Sequence, residues 1–109
     1  MKLVLITLLG LTARASTPPT LILYSGLVTK VRCEGKLLIS AIGEPNLVAL
    51  DALPANVGCG VLLKPLAKQG RTNLILETST GTIATLVEIV SANGRIDQNA
   101  LDRKLRTSE

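Results

Sequence analysis

The sequence predicts an all-β fold, a small β-sandwich or partly open barrel of about seven short strands with a polar C-terminal tail. Three observations predict it. Short runs of aliphatic and β-branched residues recur at even spacing, separated by Gly, Pro, Asn and Ser. Two of these runs alternate with a period of two, as half-buried strands do. No helix-period pattern lasts ten residues between Leu21 and Val90.

Leu21 to Tyr24 is the first run, ended by Ser25-Gly26. Leu27 to Cys33 is the clearest strand. Leu27, Thr29, Val31 and Cys33 point to one face, and Val28, Lys30 and Arg32 to the other, so the charged pair faces water. Glu34-Gly35 follows as a turn, with Gly placed where a tight hairpin needs positive φ. Lys36 to Ile42 is apolar after its first residue except at Ser40, the pattern of a strand buried on both faces. Gly43-Glu44-Pro45-Asn46 is a turn by content. Leu47 to Leu50 continues as a strand or a short helical turn, and Ala52 to Gly58, with Pro54 and Asn56, is a loop.

Gly58-Cys59-Gly60 leads into a strand over Val61 to Lys64. Its glycines suggest a bulge or a close backbone approach around the Cys. Pro65 stops that strand or sits at a sheet edge. Lys68-Gln69-Gly70-Arg71 is a polar turn, and Thr72 to Thr78 is a strand around Leu74-Ile75-Leu76. Ser79-Thr80-Gly81 turns the chain into Thr82 to Val90, with Ile83, Thr85, Val87 and Ile89 on one face. Ser91 to Glu109 turns polar and reads as a frayed or weakly helical tail that Asp97 or Asn99 can cap.

Residues 1–15 look like a signal peptide: Lys2 ahead of an apolar run from Leu3 to Leu11, then Ala13-Arg14-Ala15. The run is too short to span a bilayer, which takes roughly 20 residues. A buried N-terminal strand or helix is the alternative. Residues 16–20, with Pro18-Pro19, read as a linker to a domain over 21–90. Removing the leader takes away Lys2 and Arg14 and lowers the net charge from +4 to +2. With no Lys/Arg block either, the composition does not point to nucleic acid. Export also places Cys33 and Cys59 in an oxidising compartment. It favours a disulfide between them over two buried free thiols. The closed loop of about 25 residues makes such a bond worth roughly 3 kcal/mol.

The chain of 109 residues has no His, and Tyr24 is its sole aromatic residue. A His-based triad, a His metal site and an aromatic stacking platform for single-stranded nucleic acid are therefore excluded. Gly58-Cys59-Gly60 is half a dinucleotide fingerprint with no helix after it. Ser25, Ser40 and Ser79 with Lys30, Lys36 and Lys64 offer no Ser–Lys spacing above chance. Glu34, Glu44, Asp51, Glu77 and Glu88 scatter to turns and strand ends. No catalytic, cofactor or metal residue is assigned, and the chain reads as a non-enzymatic binding or assembly module.

Lys64-Pro65, then Gly70-Arg71-Thr72-Asn73-Leu74-Ile75-Leu76-Glu77-Thr78 and Gly81, resembles the N-terminal β-domain of the conjugal-transfer TrbG/CagX family. That family belongs to the type IV secretion core complex. The stretch is also similar to the pilus-formation domain that precedes secretins. Val28-Thr29-Lys30-Val31 and Gly43-Glu44-Pro45 extend the likeness, which covers roughly Leu21 to Val90. Cys33 and Cys59 are not part of either pattern. The chain ends where those families continue into a second domain or a pore, so the expectation is a stand-alone accessory component or one module of a split machine.

The motif residues Lys64, Pro65, Gly70, Thr72, Asn73, Leu74 and Gly81 mark a fold rather than a reaction centre. Gly permits the turn, Thr starts the strand, Asn bonds the turn backbone and Leu74 enters the core. The resemblance implies a periplasmic or outer-membrane-associated structural protein whose partners are other secretion or pilus proteins, or further copies of itself. The competing reading is a free secreted, disulfide-stabilised binding module of the inhibitor or adhesin kind. For strand addition the expected edges are the terminal strands, at Leu21 and Leu23 or at Thr82 and Thr85.

Overall fold

The computed structural model describes residues 19–94 and 96–107. The expected signal peptide (1–15) and residues 16–18 of the expected linker lie outside the described residues. The strands are β1 (Thr20–Tyr24), β2 (Thr29–Arg32), β3 (Leu37–Ile42), β4 (Val48–Ala52), β5 (Gly60–Pro65), β6 (Gly70–Thr78), β7 (Gly81–Val90) and β8 (Asp102–Lys104). They form two four-stranded sheets in an open sandwich, in the orders β1-β7-β6-β3 and β4-β5-β2-β8. The seven expected strands are all present. Strands β4-β5-β2 against β7-β6-β3 follow the Greek-key order of immunoglobulin-type sandwiches, with β1 running parallel to β7.

Alternation explains which faces meet. Leu21 and Leu23 of β1, Leu74 and Leu76 of β6, and Ile83, Val87 and Ile89 of β7 line one inner face. Val31, Val48, Val61 and Leu63 line the other, so an aliphatic core fills the space between the sheets without an aromatic side chain. The alternation expected in β2 and β7 holds, since Thr29, Thr85 and Cys33 are buried with their apolar neighbours. The β6–β7 hairpin turns at Ser79-Thr80. There Thr78 Oγ1 donates to Gly81 O (3.0 Å) and accepts from Thr80 N (3.1 Å).

Four expectations change. Glu34-Gly35 is a turn and Gly35 has φ +83°, but it carries the chain from one sheet to the other rather than closing a hairpin. Lys36 to Ile42 is not buried on both faces. β3 is an edge strand, and Leu38 and Ile39 are 60% and 54% exposed. The expected linker is partly structural, because Thr20 begins β1 and Pro19 O accepts from Leu86 N (3.0 Å) and Thr85 Oγ1 (2.7 Å).

The tail supplies an eighth strand. Asp97 caps a 3-10 turn over Gln98–Leu101 by accepting from Asn99 N (3.1 Å), and β8 then pairs in parallel with β2. Arg32 Nε donates to Asp102 Oδ1 at 2.8 Å, and Leu105 N donates to Arg32 O at 2.8 Å. Main-chain pairing and ion pairing hold a segment whose three strand residues are all charged and exposed.

Candidate interaction site

The open edge of the sandwich, where β3 and β4 part, carries the most distinctive surface. Among the described residues, β3 pairs with β6 on one side only. Its register shifts between Leu37 and Ile39, so Leu38 bulges out of the ladder. Beside it lies a groove of about 350 Å³, bounded by Leu37, Leu38 and Ser40 on one side and by Ala52, Leu53 and Cys59 on the other. Lys36 is among its lining residues, so the groove joins apolar side chains to a cation.

Cys33 and Cys59 are disulfide-bonded, as the export pattern favoured. They face each other one residue beyond the β2–β5 ladder, where β2 ends and β5 begins, with Cα atoms 5.1 Å apart, and Cys33 N donates to Cys59 O at 3.0 Å. The chain comes close to itself here because residue 60 is Gly. A Cβ at Gly60 would stand 2.7 Å from Val31 O and 2.8 Å from Leu53 Cδ1. A second depression of about 200 Å³, lined by both cysteines, shares Leu53, Gly58 and Cys59 with the groove and adds Lys30, Arg32 and Lys104. Two of those cations are engaged, Arg32 with Asp102 (2.8 Å) and Lys104 with Glu34 (3.6 Å). A disulfide fits an oxidising compartment. Among the described residues no helix is long and apolar enough to cross a membrane, and no group of three metal-capable side chains occurs.

The residues of the Lys64–Gly81 motif divide between core and surface. Lys64 is exposed on β5, Pro65 is buried where β5 ends opposite Val48, and Leu74 is fully buried. Gly70 opens β6 against Leu47, and Gly81 closes the hairpin beside Thr107. Asn73 reaches the turn as expected, but through its main chain, since Gly43 N donates to Asn73 O at 2.9 Å. The Asn73 side chain lies where a Cβ on Gly43 would stand, so the two separate stretches of the motif meet in space. The Thr72 hydroxyl is buried near the same glycine without a hydrogen-bond partner.

The residues expected at a strand-addition edge fare differently. Leu21 and Leu23 belong to an edge strand, β1, but their side chains are in the core. β7 is not an edge over Leu86–Val90, where β1 and β6 flank it. Thr85 is buried on Pro19 O, and Thr82 is exposed on the stretch of β7 that extends past the β1 pairing. The edge that sequence reasoning missed is β3. Its signal was Leu37-Leu38-Ile39, whose apolar character was assigned to a doubly buried strand.

No protein-family model matches this chain, and a search of curated proteins gives no match.

Proposed function

We propose that this chain is a non-catalytic assembly module, exported from the cytoplasm, that serves an envelope-spanning secretion, conjugation or pilus machine. The observation that carries the assembly role is the β3 edge, a strand paired on one side only among the described residues, with Leu38 and Ile39 exposed beside a groove. Such an edge offers main-chain hydrogen bonds for pairing and a pocket for alternate side chains of a partner. The leader pattern and the Cys33–Cys59 bond support export. The resemblance of Lys64–Gly81 to the TrbG/CagX β-domain supplies the kind of machine. Contact between Asn73 and Gly43 gives the motif a structural sense, since it fixes the start of β6 against the β3–β4 turn. Fold likeness alone does not transfer function, so the test is association. Affinity capture from detergent-solubilised envelopes of the source organism should recover secretion or pilus components. A protein that leaves the envelope fraction without partners overturns the reading.

A second reading is a free secreted binding module, favoured by the groove beside the Cys33–Cys59 bond. It predicts recovery from the culture medium rather than from the envelope.

A further inference from the structure

The β3 edge has a sequence suited to one occupant. We propose that it pairs with β3 of a second copy of this chain, antiparallel across a two-fold axis at Ser40. The four edge strands differ in how they are guarded. β4 and β8 carry charges, Asp51 in the first and Asp102, Arg103 and Lys104 in the second. β1 is uncharged, but Leu21 and Leu23 are committed to the core. β3 alone joins an uncharged sequence, Leu37–Ile42, to two exposed large apolar side chains. Charges, prolines and bulges are the usual devices against edge pairing; β3 has no charge and no proline, and its bulge at Leu38 lies near one end of the strand.

The register follows from side-chain direction. Opposite β6, Ile39 and Ala41 stand against Glu77 and Ile75 on the outer face, while Ser40 and Ile42 stand against the core residues Leu76 and Leu74. Residues directly opposed across an antiparallel pair share a face. An axis at Ser40 therefore sets Ile39 of each copy against Ala41 of the other, large against small, twice. It also brings exposed Lys36 of each copy alongside exposed Glu44 of the other, to within the one residue of the Leu38 bulge. The neighbouring registers lack this fit. An axis at Ile39 sets Glu34 against Glu44 of the other copy, and one at Ala41 leaves Ile39 against Gly43. Opposite charges at both ends of an apolar centre select partner and register together. The pairing joins the two β1-β7-β6-β3 sheets into one of eight strands, and it carries the second copy across the mouth of the groove at Leu38.

This inference deepens the assembly reading by naming a partner. It is tested on the purified protein, so it can fail while the envelope role stands. Sedimentation velocity on the protein obtained from the full chain should show a monomer–dimer equilibrium at concentrations below about 1 mM. Ile39→Lys and Ala41→Glu should each weaken the dimer by about tenfold or more, and the double variant should regain most of the loss. Lys36→Glu and Glu44→Lys form a second pair with the same logic at the strand ends. All four positions are exposed, so far-UV circular dichroism should report unchanged folds. A strictly monomeric protein overturns the proposal, as does a monomer that pairs its β3 only with an added extended peptide. A double variant as weak as its parents also overturns it.

Discussion

Removing the Cys33–Cys59 bond should destabilise the whole domain rather than its own neighbourhood. The bond joins residues 26 apart in sequence. Cross-linking such a loop lowers the entropy of the unfolded chain by about 12 cal/mol/K, which is about 3.5 kcal/mol at 25 °C. In the native state the same residues are already held by main-chain pairing, since Cys33 N donates to Cys59 O and Arg32 pairs with Gly60. The double variant Cys33→Ala/Cys59→Ala should therefore keep the β2–β5 ladder. Thermal denaturation followed by far-UV circular dichroism should show a midpoint lowered by roughly 15–25 °C, given 4–8 °C per kcal/mol for a domain of this size. Urea titration should also give a steeper dependence, because the unfolded chain without its cross-link exposes more surface. A loss under about 1 kcal/mol with unchanged urea dependence would refute the reasoning. It would place the bond's contribution in the native state, or show that other forces already restrict the unfolded loop.

Three further outcomes are expected. Thr29→Val should stabilise by about 1 kcal/mol in urea titration, because the Thr29 hydroxyl is fully buried without a partner and valine keeps the shape; a loss of stability would point to a hydrogen bond for that hydroxyl. Thr85→Pro should cost at least about 2 kcal/mol and unfold much of the protein at 37 °C, since it removes the Oγ1 bond to Pro19 O and places proline inside the β6–β7 ladder, opposite Leu74. A folded variant with a normal melting curve would contradict it. Gly60→Ala should cost about 1–3 kcal/mol, because the new methyl meets Val31 O, a main-chain atom that cannot turn away. An unchanged midpoint would mean that β2 and β5 separate at little cost.

Side-chain patterning made the fold class, the seven strands and most of their faces legible. The alternation of Thr29, Val31 and Cys33, and of Ile83, Thr85, Val87 and Ile89, named buried residues correctly. Pairing of the two cysteines matches the expectation drawn from their number and the leader-like pattern over residues 1–15. Strand order was not legible, because it is decided in the plane of the sheet, where side chains do not point. Leu37-Leu38-Ile39 has the composition of a central strand and lies at an edge. Thr82–Val90 comes late in sequence and is flanked by β1 and β6 over its second half. β8 left no apolar signal, since main-chain bonds and the Arg32–Asp102 pair hold it. The site was hidden for the same reason. Its defining property is the free side of β3, which no residue pattern announces.

The two parallel pairings set when this molecule can fold. β1 meets β7 through Pro19 and Thr85, 66 positions apart, and β2 meets β8 through Arg32 and Asp102, 70 apart. Each sheet thus gains an edge strand through a pairing of long sequence separation, and neither pairing can begin before the later of its two segments has been made. Contacts of such long sequence separation make folding slow. The chain accordingly spends a long interval with neither sheet complete.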